Sequence, residues 1–173
     1  MMDLSAIVKA YDVRGVVPDQ LDEGIARAIG AAFARFVAAP AVVTAYDMRE
    51  SSIPLSRAFG DGVRSQGVDV VEAGLGSTDM LYFASGFLDL PGAMFTASHN
   101  PARYNGIKMC RAGAAPIGQD SGLSEIRDMA AVGLPDVGGA PGSVSHRDLL
   151  TEYAGYLRGL VDLSGVRPLT VVI

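Results

Sequence analysis

Residues 41–46, Ala-Val-Val-Thr-Ala-Tyr, form the short apolar run that decides the fold of this chain. Its length and its β-branched residues predict a buried strand. A second strand is predicted at 68–72. The segment 52–65 between them carries Pro54 in the first turn of a predicted helix. A strand, a helix and a strand in this order predict a βαβ unit whose two strands lie parallel in one sheet.

The same alternation extends along the chain on both sides of this unit. A helix is predicted over 21–37, because Ile25, Ile29, Phe33 and Phe36 or Val37 fall on one helical face. A helix capped by Thr78 is predicted through Leu88. The remaining predictions are strand character at 7–13, a glycine turn at 74–76, a strand at 92–97, a tight turn at Asn105-Gly106 and a strand at 107–111.

These elements predict an α/β fold with a mixed, largely parallel sheet flanked by helices. Right-handed crossovers would bring the loops after Tyr46, Glu72 and Ala97 to the same edge of the sheet. Ligand chemistry is therefore expected at that edge.

The amino-acid composition changes between 132 and 145, where glycine and proline are frequent. Such a stretch is typical of a domain boundary. We therefore predict one domain over 1–134, a linker over 135–145 and the start of a second domain over 146–173. That second part would consist of a helix over 146–161 and a β-run over 169–173, which cannot close a core. An unpartnered β-run is an aggregation liability, so the chain is expected to be cut from a longer one.

The bulk composition restricts the possible classes of protein. Apolar residues make up 49 % of the chain, charged residues 19 %, and the net charge is −5. This balance favours a globular protein and argues against a nucleic-acid partner, which usually requires a basic surface. No secretory signal or membrane span is predicted. The single cysteine, Cys110, is expected to be a buried apolar residue and fits a reducing, cytoplasmic compartment.

The segment 96–108, Thr-Ala-Ser-His-Asn-Pro-Ala-Arg-Tyr-Asn-Gly-Ile-Lys, carries most of the chemical information. A serine hydroxyl needs activation to act as a nucleophile. In an extended segment Ser98 and His99 would point to opposite faces, so a Ser–His dyad is not expected. No G-x-S-x-G elbow is present, which argues against an acyl-transfer hydrolase.

Phosphoryl transfer suits this segment better. Its transition state is loose, so catalysis is mostly positioning and charge neutralisation. Lys108, Arg14 and His99 could supply positive or polar contacts to phosphate oxygens. Asn100 precedes a proline, which favours an extended exit from the loop.

Three motifs resemble those of the α-D-phosphohexomutases, the phosphomannomutase/phosphoglucomutase family. The loop 96–108 resembles the family's T-[AG]-S-H-N-P signature followed by N-G-x-K. Residues 9–15, Lys-Ala-Tyr-Asp-Val-Arg-Gly, resemble its opening K-A-Y-D-[IV]-R-G. Residues 45–52 resemble its G-x-D-x-R-x-S segment, with Ala45 where glycine is usual.

The resemblance implies an intramolecular phosphotransferase, an isomerase that interconverts hexose 1-phosphate and 6-phosphate through a bisphosphate intermediate. Ser98 would be the phosphorylated residue, and its phosphate would be a Mg²⁺ ligand. Tyr11 and Arg14 would lie near the active site. His99, Asn100 and Lys108 would complete the contacts to phosphate or substrate. The implied small-molecule partners are hexose phosphates, with hexose 1,6-bisphosphate as activator and intermediate.

The same resemblance shows what these 173 residues lack. The family's metal-binding D-G-D-x-D-R loop and its sugar-reading and phosphate-clamping loops are absent from the sequence. Mg²⁺ requires near-octahedral oxygen coordination. We therefore expect no mutase turnover from this chain alone. Two alternatives stay open, a phosphoglucosamine mutase and a non-catalytic domain that binds a phosphosugar or a partner. The sugar and the oligomeric state are not predicted.

Several residues also have an ordinary structural interpretation. Asp47 and Arg49 could equally structure a turn or belong to the site. Arg14 could pair with Asp12 or Asp19 at the surface. His146 is expected to start a helix without a chemical role. The segment 74–79 lacks the third glycine of a dinucleotide fingerprint, and Asp79 would repel a pyrophosphate there.

Overall fold

A computed structural model of the chain describes residues 2–162 and 164–172. The described part contains seven strands and five α-helices. In chain order they are β1 (Val13–Val16), α1 (Glu23–Val37), β2 (Ala41–Tyr46), α2 (Ser52–Ser65), β3 (Asp69–Leu75), α3 (Thr78–Leu88), β4 (Gly92–Phe95), β5 (Tyr104–Arg111), β6 (Ala115–Pro116), α4 (Leu123–Val132), β7 (Val144–His146) and α5 (Leu150–Leu160).

The strands form one mixed sheet with the order β1-β5-β4-β2-β3-β7, and β6 pairs with the end of β5. Strand β2 lies parallel to both β3 and β4, and β7 lies parallel to β3. Strand β5 runs antiparallel to its neighbours β4, β1 and β6. The mixed sheet flanked by helices confirms the predicted fold class.

The path of the chain creates a switch point between β2 and β4. From β2 the chain crosses through α2 to β3 on one side, and from β3 it crosses through α3 to β4 on the other side of β2. The loops that leave β2 and β4 therefore start side by side at the carboxyl ends of two neighbouring parallel strands. In open α/β sheets, ligands bind in the crevice at such a point.

The two faces of the sheet carry separate cores. The larger core lies under α1, α2 and α4 and includes three buried phenylalanine rings. The ring of Phe59 packs between those of Phe33 and Phe95. The smaller core lies under α3 and includes the fully buried Leu149, just before α5. Alternate coverage of both faces explains why β2 and β4 are apolar almost throughout.

Two strand predictions were wrong at their boundaries. The strand expected at 7–13 begins only at Val13, the first residue of β1, because the chain before it folds back on itself. The Lys9 N–H donates to the Asp12 carbonyl, and the Arg14 N–H donates to the Ile7 carbonyl. Residues 74–75 continue β3 instead of turning, because Gly74 adopts a φ of 82° within the strand and its partner β2 shifts register there.

The tight turn predicted at Asn105-Gly106 was also wrong, because both residues lie inside β5. Gly106 occurs there because a Cβ atom would overlap the carbonyl oxygen of Val13 on β1. Asn105 is fully buried and its side chain bonds to the hydroxyls of Ser51 and Ser52. A dipeptide that usually marks a hairpin serves here as a close contact between neighbouring elements.

The C-terminal helix begins later than predicted. His146 ends β7, where Nδ1 lies 2.9 Å from a carboxylate oxygen of Glu72, and α5 starts only at Leu150. The β-run predicted over 169–173 is not a strand over 169–172, and Ile173 lies outside the described residues. No helix in the described part of the chain is long and apolar enough to cross a membrane.

Candidate active site

The loop after β4 presents Ser98 to solvent at the switch point. Ser98 has a φ of 55°, in the left-handed region that non-glycine residues rarely adopt. The side chain of Thr96 holds this conformation, because its Oγ1 accepts the Ser98 N–H at 2.9 Å. A strained, exposed serine at a sheet crevice suggests a functional residue rather than an ordinary loop position.

The expectation that Ser98 and His99 point to opposite faces was wrong. The left-handed conformation of Ser98 ends the extended path and places its Oγ 3.3 Å from Nδ1 of His99. Which of the two groups donates depends on the tautomer of the imidazole. Among the described residues, no hydrogen bond to the other ring nitrogen orients His99, so the arrangement lacks the third member of a nucleophile–base–orienter triad.

The side chain of Arg49 holds the backbone of the Ser98 loop. Arg49 lies on the loop after β2 and its side chain is only 11 % exposed. Its Nε donates to a carboxylate oxygen of Asp47 at 3.1 Å. Its two terminal nitrogens donate to four backbone carbonyls at 2.8–3.1 Å, those of the loop residues Ser98, Asn100 and Pro101 and that of Tyr104, the first residue of β5.

Asp47 anchors this arrangement in turn. One carboxylate oxygen accepts the Ser52 hydroxyl at 2.6 Å and the Arg49 N–H at 3.0 Å. Burial favours the neutral acid, but the hydroxyls of Ser52 and Thr96, the Arg49 N–H and the Arg49 charge outweigh it, and the pKa of Asp47 is lowered from its ordinary value of 3.8. Asp47 is therefore a carboxylate at neutral pH, and its charge is paired with Arg49.

The predicted cations Arg14 and Lys108 meet at one carboxylate. Asp12, which is 8 % exposed, accepts from Arg14 at 2.6 Å and from Lys108 at 3.2 Å with the same oxygen. Arg14 also donates to the Asn100 side chain at 2.6 Å, which joins the cation pair to the Ser98 loop. Its Nε is buried without a partner among the described atoms. Two cations share one carboxylate, so the cluster retains net positive charge for an anion.

Tyr11 is the predicted residue that the structure joins least to the others. Its ring is 80 % exposed and lies beside Gly118, and no hydrogen bond joins it to the Ser98 loop in the described part of the chain. Its sequence position next to Asp12 places it on the same segment as the cation cluster.

A cleft of about 480 Å³ runs from Ser98 and Asp47 to the first residues of α3 and offers space for a small ligand.

The described residues do not form a magnesium site by themselves. They contain no group of three or more His, Cys, Asp or Glu side chains that could hold a metal ion. Asp47 has its oxygens bonded to Ser52 and Arg49, and Asp12 faces two cations. Since Mg²⁺ requires about six oxygens, one modified serine would leave most of its coordination unfilled.

Sequence reasoning did not identify the roles of Arg49 and Asp12. The sequence pattern does not distinguish between a turn and a site role for Arg49, and it indicates Asp12 only as a surface partner of Arg14. The usable signal was the position of Asp47-x-Arg49 directly after a buried parallel strand, at the edge where the Ser98 loop was also expected.

The fold and the site define a class, namely α/β domains that present a serine and a cation cluster at a sheet crevice. The sequence model described as "Phosphoglucomutase/phosphomannomutase, alpha/beta/alpha domain I" matches residues 5–132. The chain therefore belongs to the phosphoglucomutase/phosphomannomutase family.

Individual relatives agree with this assignment. The chain is 41 % identical over 166 residues to a protein named "Phosphohexose mutases" from Xanthomonas campestris and 38 % identical over 167 residues to a phosphomannomutase from Salmonella typhimurium. It superimposes with a TM-score of 0.79 and 37 % identity on a phosphoglucomutase/phosphomannomutase family protein from Burkholderia thailandensis. Each comparison covers 95 % of this chain and 37 % of the relative.

Proposed function

We propose that the protein containing this chain is a phosphohexomutase that moves a phosphoryl group between the 1- and 6-positions of a hexose. The observation that carries this proposal is the position of Ser98, which lies exposed at the switch point. The loop that contains it is joined through Asn100 to the cluster of Arg14, Asp12 and Lys108. Ser98 would carry the phosphate, donate it to a hexose phosphate to form a bisphosphate, and then take back the other phosphate.

The described side chains can divide this work by their chemistry. Arg14 and Lys108 would neutralise phosphate oxygens, and the Asn100 amide would keep Arg14 on the loop. His99 would contact the Ser98 oxygen or its phosphate, since its Nδ1 is already 3.3 Å from Oγ. Tyr11 would contribute to the rim of the substrate site. When bound, Mg²⁺ would supply charge neutralisation to the phosphoserine, with carboxylate ligands from outside these 173 residues.

The proposed substrate class is hexose phosphate, and the cited relatives favour mannose phosphate over an amino sugar because one of them is named a phosphomannomutase. The proposed activator is the hexose 1,6-bisphosphate, and nucleic acid and membranes are not proposed partners. The single, buried Cys110 fits a cytoplasmic location. Because the chain spans 37 % of the relatives' length, we propose that it does not turn over substrate alone.

The direct test is the phosphorylation state of Ser98. We expect intact mass spectrometry of the protein, expressed from its whole gene, to show one phosphate, and peptide mapping to place it on Ser98. Ser98→Ala should remove it, whereas Ser145→Ala, at an exposed serine on β7, should retain it. Mutase assays with mannose 1-phosphate should show activity only in the phosphorylated protein.

Two results would contradict the proposal. A fully unphosphorylated protein that also stays unmodified after incubation with hexose 1,6-bisphosphate would favour a non-catalytic binding domain. Turnover of mannose 1-phosphate by the isolated 173 residues would contradict the inactivity proposed for this chain. Turnover of only glucosamine phosphates by the protein from the whole gene would support the alternative mutase.

A further inference from the structure

We infer that Arg49 is the positioning residue of the Ser98 loop and is not a phosphate ligand, an inference that rests on the proposed function for its link to catalysis. A guanidinium carries five N–H donors in a fixed planar fork. Nε donates to Asp47, one terminal nitrogen donates to two loop carbonyls, and the other donates to two more. All five donors are therefore committed to the protein.

The contrast with Arg14 shows why this commitment matters. Arg14 has one bond to Asn100 and one to Asp12, so donors remain for an incoming anion. Arg49 has none left, and its charge is already paired with Asp47 at 3.1 Å. A phosphate on Ser98 would have to break existing bonds to reach Arg49, so the anion is directed to Arg14 and Lys108 instead.

The carbonyls that Arg49 holds lie on both sides of the loop's tip. The bond to the Ser98 carbonyl fixes the peptide that follows the serine, and the bonds to Asn100, Pro101 and Tyr104 fix the return to β5. Ser98 keeps a left-handed φ of 55°, which costs free energy unless its surroundings impose it. The Thr96 hydroxyl holds the Ser98 N–H and the fork of Arg49 holds the Ser98 carbonyl, so the two side chains together impose this conformation and set the direction of the serine oxygen relative to the cleft.

The decisive variant is Arg49→Lys, because it keeps the positive charge and loses the fork. One ammonium with three donors cannot span four carbonyls and a carboxylate. The matched control is Arg103→Lys, in the same loop, where the guanidinium is exposed and lies 5.4 Å from the Tyr104 ring centre. Both exchanges have the same chemistry, and only the first removes contacts to the loop backbone.

We expect hydrogen exchange of the loop amides Ser98 and Asn100, and of Tyr104 where the loop joins β5, to accelerate by about tenfold or more in Arg49→Lys, because the fork no longer resists local opening. Exchange along β2 should stay at the wild-type rate. The fraction of Ser98 phosphorylated in the protein expressed from its whole gene should fall, and the phosphoserine phosphorus resonance should shift or broaden. Arg103→Lys should match the wild type in every readout.

Wild-type loop exchange and phosphorylation in Arg49→Lys would overturn the inference, because charge alone would then suffice. Equal acceleration across the loop and β2 would also overturn it, since Arg49 would then support the whole domain. If Arg49→Lys does not fold, Asp47→Asn takes its place, and unfolding of both variants counts against the inference. A wild-type protein whose Ser98 carries no phosphate and stays unmodified after incubation with hexose 1,6-bisphosphate would contradict the proposed function, while loop exchange would still decide the role of Arg49.

Discussion

At the scale of single residues, the site separates paired charge from available charge. Asp47 and Arg49 neutralise each other beneath the loop, with side chains 14 % and 11 % exposed. Arg14 and Lys108 share only Asp12, so one positive charge of that cluster stays uncompensated. The buried pair orders the backbone, and the second cluster is the one that can attract a phosphate.

The first prediction concerns the acid stability that Asp47 provides. Its pKa is lowered in the folded protein, so the ionised carboxylate stabilises the fold at pH values above 3.8, the ordinary pKa of the group. That stabilisation is lost as the pH falls from about this value through the lower, folded-state pKa. We expect the difference in free energy of unfolding between wild type and Asp47→Asn to stay at its full value from neutral pH down to the acid range and to shrink as the pH falls below about 3.8, as measured by urea titration at several pH values.

The control for this prediction is Asp61→Asn. Asp61 pairs with Arg64 one helical turn away, but its side chain is 58 % exposed. Exposed pairs contribute about 0–1 kcal/mol, so this variant should track the wild type across the pH range. A difference for Asp47→Asn that stays constant from neutral pH to pH 3 would contradict the prediction.

The motif residues could be predicted from sequence because each is tied to a local pattern. Ser98, Asn100 and Lys108 fall in one continuous segment, and Arg14 donates to the Asn100 side chain, while the roles of these residues stay predictions. The role of Arg49 could not be predicted in this way, because it depends on four carbonyls that lie 49–55 residues further along the chain. The pattern of side chains does not indicate which backbone carbonyls will accept these hydrogen bonds.

At the scale of elements, α1 and α2 pack with their backbones in direct contact. An added Cβ at Gly30 would overlap the carbonyl oxygen of Phe59, and one at Gly62 would overlap that of Arg27. The two helices cover the larger core and hold the start of α2, from which Ser52 reaches Asp47. Close packing of these helices therefore supports the loop after β2.

The second prediction tests this helix contact with Gly62→Ala. Alanine favours a helix by about 1 kcal/mol over glycine, so helix propensity alone predicts a gain in stability. The overlap with the Arg27 carbonyl should reverse the sign and lower the free energy of unfolding by about 3 kcal/mol, because the helices must separate. Chemical denaturation of the purified protein measures this change.

Gly86→Ala is the matched control for this prediction. Gly86 lies in α3, and nothing lies within 4 Å of an added Cβ. Here only helix propensity acts, so we expect a gain of about 0.5–1 kcal/mol. Stabilisation by both substitutions would show that α1 and α2 can separate without cost.

The elements themselves were predicted with uneven success, and the reason is physical. Helix α2 and strand β2 have the predicted bounds, because Pro54 marks the first turn of the helix and a short, mostly apolar run marks the strand. The turn prediction at Asn105-Gly106 was wrong because Gly106 permits close contact with β1, a strand far away in sequence. An Asn-Gly pair in a turn and one at such a contact look the same in the sequence. Local propensity decides an element only where tertiary contacts do not compete.

At the scale of the whole molecule, the segment after α4 remains attached to the sheet. Strand β7 extends the sheet beside β3, and backbone bonds tie Val137 and Gly142 to the end of α2. Leu149 is fully buried in the smaller core, and the rings of Tyr153 and Tyr156 pack against Phe83. Helix α5 contains no fully buried residue, so it depends on these anchors.

The last prediction tests the domain boundary expected at 146 with two shortened chains. A chain without 162–173 loses only residues that are exposed and without regular structure in their described part, so its unfolding free energy should change by less than about 0.5 kcal/mol. A chain without 148–173 also loses Leu149 and Tyr153 from the smaller core. We expect it to unfold with about 3 kcal/mol less free energy, the usual cost of removing a large apolar side chain from a core.

Leu149→Ala in the complete chain separates the anchor from the helix that follows it. It should reproduce most of the loss seen without 148–173, because the cavity forms within the smaller core whether or not α5 is present. Leu157→Ala, on the exposed side of α5, should change the free energy of unfolding by less than about 1 kcal/mol. If the chain without 148–173 is as stable as the complete chain, 146–173 is thermodynamically separate from the first domain, and Leu149 is not the anchor that its burial indicates.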